Sequence, residues 1–327
     1  MEYRHIGKTG LKISEISLGA WLTYGGSQDK DSTRECVSKA IELGINFIDL
    51  ADVYSRGNAE KVIGELIQEE NYSRKDLVIS SKVFWPMSRG VNDRGLSRKH
   101  ILESIEGTLN RLNTDYLDIY FCHRFDRYTP LEETIRTMSD LVDRGLVHYW
   151  GTSVWTAVQL ERAFWMAKTL ECQPPVVEQP QYHMLNRYIE TPHGVLETCK
   201  RNGMGIVCFS PLCQGILTGK YNEGVPKESR GATTDWLKWD LTPANIEKVK
   251  QLQPIADKLN IQMSQLALAW ILRHTEISCA ITGATKPQHI ASNAQASGLK
   301  LDSEILKQIE DILDNKPTIH GVYHPPW

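Results

Sequence analysis

Residues 47–64 read FIDLADVYSRGNAEKVIG. Ile45 to Asp49 is a short apolar run closing on a carboxylate, the pattern of a buried strand emerging at a sheet end. From Asn58 to Gln68, Ala59, Val62, Ile63 and Leu66 recur at helical intervals, so a helix follows. Asp49 and Tyr54 fall on the intervening turn, and Gly57 permits a sharp bend there. A strand that delivers an acid and a phenol to one loop is a candidate active-site rim. Asp and Tyr are also ordinary loop residues, so the rest of the chain must decide.

The same strand-then-helix pattern continues outward. Residues 3–6 and 11–14 flank Gly7-Lys8-Thr9-Gly10 and predict an N-terminal hairpin. Strands are expected at 16–18, 77–82, 116–122, 148–152, 176–179, 205–210 and 280–282 besides 45–49. Helices are expected at 31–43, capped by Asp31 or Ser32, and at 97–112, 130–144, 157–169, 191–201, 244–259, 264–273, 287–296 and 303–313. Residues 211–241 form a long irregular stretch. Eight strand–helix units without a break in composition favour a single domain over 1–327, an α/β fold built as one (β/α)8 (TIM) barrel with an N-terminal β-hairpin and extra C-terminal helices. An open doubly wound sheet would call for a GxGxxG turn after its first strand, where this chain has Gly19-Ala20-Trp21, and there is no GxxxxGK[ST] loop either.

Composition narrows the function. The chain has 327 residues, 41% hydrophobic and 24% charged, with a net charge of −3, which gives nucleic acid or an anionic membrane no electrostatic hold. Seven scattered cysteines without a CxxC pair fit reduced thiols rather than disulfides or a zinc site. The N-terminus is too polar for a signal peptide, and no apolar run reaches membrane-spanning length. A cytoplasmic protein without membrane insertion is expected. His320 and His324 lie four apart in a Pro-containing tail, and His183 and His193 have no metal-ligand spacing to a cysteine, so no metal is expected.

In barrels of this kind the site lies at the C-terminal strand ends. There the second strand supplies Asp49 and Tyr54, the third Lys82 and the fourth His123. Each has an ordinary structural reading: a turn cap, a solvated lysine, a histidine bonded to its own loop. Together they make a proton-donor set. A phenol is a poor acid near neutral pH, an ammonium beside it favours the phenolate, a carboxylate holds the ammonium, and an imidazole orients a carbonyl oxygen.

Over essentially its whole length the sequence resembles the aldo-keto reductase superfamily. The match is carried by Gly19, Asp49-Leu50-Ala51-Asp52-Val53-Tyr54, Gly57-Asn58-Ala59-Glu60, Gly64, Ser81-Lys82, His123-Arg124, Gly151-Thr152-Ser153, Glu178-Gln179, Ser210-Pro211-Leu212 and Gly283-Ala284-Thr285. Within it, residues 95–101, 130–134, 149–153 and 217–221 resemble the branch that includes voltage-gated potassium channel β subunits and their plant and microbial relatives.

The resemblance implies an NADP(H)-dependent reduction of a small carbonyl substrate, with Tyr54 as proton donor, Asp49 and Lys82 tuning it and His123 orienting the carbonyl. Animal channel subunits typically carry asparagine at the position of His123, and some have a long N-terminal segment before the hairpin. Both differences favour an enzyme, and a channel accessory that senses redox state through bound nucleotide is the alternative. A homo-oligomer, tetrameric or larger, is implied as well. By position, Ser153 and Gln179 hold the nicotinamide carboxamide, while Phe209 either stacks on the ring or is a core aromatic. Ser210, Pro211, Leu212, Gly215 and Lys220 wrap the pyrophosphate. Arg230 and Lys286 are candidates for the 2′-phosphate, and Trp21, Gly283, Thr285, His289 and Asn293 complete the implied cofactor set. His289 and Ser292 depart from the glutamine and glutamate common in relatives. Trp21, Tyr24 and Trp85, with Trp236, fall on mouth loops and suit an apolar substrate pocket. Trp150 and Trp155 are equally readable as packing.

Overall fold

The computed structural model describes residues 1–21, 25–26, 29–315 and 317, with the Trp236 side chain left aside. Two short antiparallel strands, β1 (Tyr3–His5) and β2 (Lys12–Ser14), come first. Eight parallel strands follow: β3 (Ile16–Gly19), β4 (Phe47–Asp49), β5 (Val78–Val83), β6 (Leu117–Cys122), β7 (Val147–Ser153), β8 (Val177–Gln179), β9 (Gly205–Cys208) and β10 (Ile277–Thr282). They pair in sequence order, and β10 closes back on β3. This is the (β/α)8 barrel that the alternation predicted.

Strand periodicity explains what fills it. Side chains two apart share a face, and Phe47, Val78, Ile119, Phe121, Val177, Val207, Cys279 and Ile281 form one buried cluster inside the ring. Ile6 and Ile13, on the hairpin, join that cluster, so the hairpin stoppers the end where the strands begin. Arg4 fastens it there through the carbonyls of Leu272, His274 and Ile277. The intervening strand positions, such as Tyr120 and Cys122, belong to a second, larger cluster shared with the helices.

The helices are α1 (Lys30–Glu42), α2 (Asn58–Glu69), α3 (Arg98–Leu112), α4 (Leu131–Asp143), α5 (Ala157–Thr169), α6 (Val195–Asn202), the short α7 (Arg230–Thr233), α8 (Pro243–Lys258), α9 (Met263–Leu272), α10 (Pro287–Ala294) and α11 (Ser303–Leu313). Their faces follow from spacing: α11 buries Ile305, Ile309 and Leu313 and is capped by Asp302. In α9 every residue is buried, as expected of a helix apolar on all sides. Among the described residues no helix is long and apolar enough to cross a membrane, and no cluster of metal-ligating side chains occurs.

Three local expectations change. The cap of α1 is Asp29, whose Oδ1 accepts from Ser32 N at 2.7 Å, rather than Asp31 or Ser32. The helix expected over 191–201 begins only at Val195, because His193 sits in the left-handed region at φ 56° and breaks the run behind Pro192. The stretch 211–241 contains 3-10 turns at Cys213–Thr218 and Asp235–Leu237 besides α7. Cys213, Gln214 and Gly215 have φ of 47°, 52° and 103°, which no continuous helix can include.

Candidate active site

The inward period-two rows run on from the apolar cluster to the strand ends. Asp49 lies two residues beyond Phe47, Lys82 four beyond Val78, His123 two beyond Phe121, Gln179 two beyond Val177, and Phe209 two beyond Val207. One face of each strand therefore supplies core at its start and polar groups at its end.

Lys82 is fully buried, and its Nζ donates to Asp49 Oδ2 at 2.7 Å, Leu50 O at 2.5 Å and Tyr54 Oη at 3.2 Å. These three bonds use all its protons. Burial works against the ammonium, but Asp49 and Tyr54 outweigh it and hold its pKa above the ordinary lysine value. Asp49 Oδ1 in turn accepts from Ser80 Oγ at 2.7 Å and Gln179 Nε2 at 3.0 Å. His123 is 7% exposed and packs edge-on to Tyr54, with ring centroids 5.9 Å apart. The structure thus brings all four expected residues together.

Their electrostatics differ from the expectation in one respect. Burial is the largest influence on Tyr54 and, with the Asp49 charge, raises its pKa despite the lowering influence of Lys82. The phenol therefore rests in its protonated form. Burial, with Arg124 and Lys82, pushes His123 well below the ordinary histidine value, so its imidazole is neutral. Its Nδ1 has no hydrogen-bond partner among the described residues.

The loop that carries Tyr54 is held from behind. After Tyr54, Ser55 and Arg56 are left-handed at φ 49° and 53°, and Gly57 follows at 85°. Two such non-glycine residues cost about 1–3 kcal/mol each. A buried polar network offsets this: Asp52 Oδ2 accepts from Ser104 Oγ at 2.8 Å, and Glu60 accepts from Ser81 Oγ at 2.5 Å and Arg111 Nε at 2.6 Å. Asp52, buried beside the Glu60 charge, is pushed up to about 8.

A second buried acid lies on β8, one residue before Gln179 and so on the opposite face of the strand. Glu178 accepts from Thr152 Oγ1 at 2.5 Å and from Trp155 N at 3.2 Å, and burial raises it to about 7. It holds the turn at Val154, a β-branched residue at φ 57° directly after Ser153. Ser153 Oγ donates to Gln179 O at 2.9 Å. Asp52, Glu60, Ser80 and Glu178 were not identified as working parts from sequence. The signal available for Ser80 was its place two residues before Lys82 on the same face.

The remaining expected residues fall as follows. Trp85 stands edge-on to His123 at 6.2 Å between centroids. Trp21 is partly exposed after β3, and Tyr24 lies outside the described residues, as do His320 and His324. Trp150 and Trp155 are both 1% exposed, so packing is what they do. Phe209 is only partly buried, beyond the end of β9, and Ser210 behind it is left-handed at φ 52°. Pro211 is buried and Leu212 half-buried. Gly215 sits at φ 103°, a backbone conformation that residues with a side chain rarely adopt.

Gly283, Thr285, Lys286 and His289 are exposed around the start of α10, and Asn293 is buried on it. Lys286 and Lys220 both depress the His289 pKa, after burial, so these bases converge from two loops. Arg230 is half-buried, and burial lowers its pKa. None of Lys220, Arg230 and Lys286 has a carboxylate partner among the described residues. Cations gathered without an anion suit a polyphosphate ligand. Ser292, where the departure from relatives falls, is engaged elsewhere, donating to Gln262 Oε1 at 2.5 Å.

Comparison with known proteins agrees with this geometry. The family model described as "Aldo/keto reductase family" matches residues 15–314. The chain is 42% identical over 324 residues to a probable voltage-gated potassium channel subunit beta of Arabidopsis thaliana, covering 97% of this chain and 98% of that protein. It is 39% identical over 323 residues to a protein of the same description from Oryza sativa subsp. japonica, with 97% and 98% covered. A putative voltage-gated potassium channel subunit beta of Schizosaccharomyces pombe is 41% identical over 325 residues, with 96% and 94% covered. The strand-end tetrad, the barrel beneath it and these matches together place the chain in the aldo/keto reductase family.

Proposed function

We propose that this protein is an NADPH-dependent reductase of aldehydes and ketones, with Tyr54 as general acid. The observation that carries the reading is the chain of bonds from Tyr54 Oη to Lys82 and on to Asp49, at 3.2 and 2.7 Å, at the mouth of the barrel. Bound NADPH would supply a hydride. Ser153 and Gln179 would hold its carboxamide, Gln179 through the Oε1 that Asp49 leaves free. Phe209 would lie against the ring, and Lys220, Arg230, Lys286 and His289 would take its phosphates.

The residues of the chain do the rest. A substrate carbonyl oxygen seated between Tyr54 and His123 receives a hydrogen bond from each. As negative charge develops on that oxygen, the Tyr54 O–H gives up its proton, and the Lys82 ammonium stabilises the phenolate left behind. The neutral His123 donates without competing for that proton. Asp49, fixed by Ser80 and Gln179, keeps Lys82 charged and in place. Trp21 and Trp85 would give the substrate an apolar wall. Mixing the protein with NADPH and an activated aromatic aldehyde, and following cofactor absorbance, tests the reading: steady oxidation is expected.

The relatives described as potassium channel β subunits support a second reading, a nucleotide-binding accessory of a potassium channel. Tight NADPH binding with no consumption across a panel of carbonyl compounds would favour it.

A further inference from the structure

Arg124 directly follows His123 and is half-buried at the same mouth. Both of its hydrogen bonds leave from one nitrogen: Nη1 donates to His123 O and, over a longer 3.4 Å, to Ser153 Oγ. The opposite edge, Nε and Nη2, makes no hydrogen bond among the described residues. The guanidinium carbon stands 5.6 Å from the centre of the Trp85 ring.

Among the described residues no carboxylate forms an ion pair with this cation. Asp49 is taken by Lys82, and Glu178, the acid whose charge reaches Arg124, is occupied by Thr152 Oγ1 and Trp155 N. A guanidinium does not shed its proton in a protein. Arg124 is therefore a cation without an ion-pair partner among the described residues, and both Tyr54 and His123 sense it. The free edge presents two parallel N–H groups, the geometry that matches the two oxygens of a carboxylate.

We propose that the Nε–Nη2 edge of Arg124 binds a substrate carboxylate, so that the preferred substrates are oxo acids whose carbonyl lies between Tyr54 and His123. This rests on the reductase reading above. Trp85, beside both His123 and Arg124, supplies an apolar face for the atoms joining the two groups.

The test compares 3-formylbenzoate and 4-formylbenzoate with their methyl esters, which keep ring and aldehyde and remove only the charge. In the unmodified protein at least one acid should be favoured over its ester by about tenfold or more in kcat/KM, chiefly through KM. Arg124→Met should abolish that preference and Arg124→Lys should retain part of it, with circular dichroism confirming that both variants fold. Equal treatment of acid and ester, or a preference that survives Arg124→Met, overturns the proposal while leaving the reductase reading intact. If neither acid nor ester is consumed, the reductase reading fails, and calorimetric titration with benzoate decides on the anion site separately. Binding that disappears with Arg124→Met supports the site, and no binding to the unmodified protein overturns it.

Discussion

The side-chain amide of Gln179 reaches across the barrel mouth to Asp49, with Nε2 3.0 Å from Oδ1 between residues 130 positions apart in the chain. A residue expected to hold a cofactor thus also steadies the carboxylate that holds Lys82. Gln179→Leu should therefore affect two quantities: KM for NADPH should rise about tenfold, and kcat should fall by a smaller factor, about two- to fivefold. Steady-state kinetics with varied NADPH at saturating aldehyde measures both. A change in KM alone would mean that the bond to Asp49 has no part in positioning Lys82.

Asp49→Asn should destabilise the fold as well as slow the reaction. Lys82 is fully buried, and Asp49 is the carboxylate paired with it. Removing one partner of a buried ion pair costs about 3–5 kcal/mol, because the remaining charge stays desolvated. Urea unfolding should show this loss, and the double variant Asp49→Asn, Lys82→Met should recover much of it.

Asp52 makes stability depend on pH in an unusual direction. Its folded pKa, about 8, lies above the ordinary 3.8, so between these values the folded state binds more protons than the unfolded one. Stability should then fall as pH rises through that window. Glu190 works oppositely: burial raises its pKa, but the nearby His274 and bonds from Arg187, Arg273 and Tyr182 outweigh that and lower it below 4.5. Its contribution is present above the ordinary carboxylate range and is lost as pH falls below it. Unfolding curves at several pH values should show Asp52→Asn gaining on the unmodified protein from pH 5 to 8 (a window of order three units). Glu190→Gln should lag at neutral pH and converge at acid pH.

Tyr54 and His123 should add no inflection to the catalytic pH profile near neutrality. Tyr54 is raised above the phenol value and His123 is lowered below the imidazole value, so neither changes charge near pH 7. In the reduction direction kcat should decline only above about pH 10, where the phenol begins to lose its proton. A kcat that changed between about pH 6 and 8 would report Glu178 or Asp52, raised to about 7 and about 8, rather than the proton donor.

Lys286 and His289 should set the choice of cofactor. With Lys220 they form a cluster of bases near the start of α10. Lys286→Ala should raise KM for NADPH about tenfold with little effect on KM for NADH. An equal effect on both would move Lys286 away from the 2′-phosphate.

Much of this architecture was legible in advance because its causes are local. Short runs such as LVISSK and YLDIYFC mark strands; the first ends on Lys82 and the second is followed directly by His123, both at the mouth. What stayed hidden was decided by contacts distant in sequence. The rise in the Tyr54 pKa comes from burial and the Asp49 charge outweighing Lys82, and a motif does not carry that balance. The left-handed backbone at Ser55, Arg56 and Val154 is imposed by Asp52, Glu60 and Glu178 through partners on other elements. The break at His193 follows from Pro192 and Gly194, which the apolar spacing of 191–201 concealed. The free edge of Arg124 became visible only once every nearby acid could be assigned to another partner.

The most direct test of the central claim compares NADPH binding and aldehyde reduction in the unmodified protein and in Tyr54→Phe. Fluorescence titration should give similar NADPH affinity for both, because the hydroxyl faces Lys82 rather than the expected cofactor groups. Reduction should fall by about 10²–10⁴-fold in the variant, the size of a lost general acid. A variant that binds NADPH normally and still reduces aldehyde at the original rate would contradict the assignment of Tyr54.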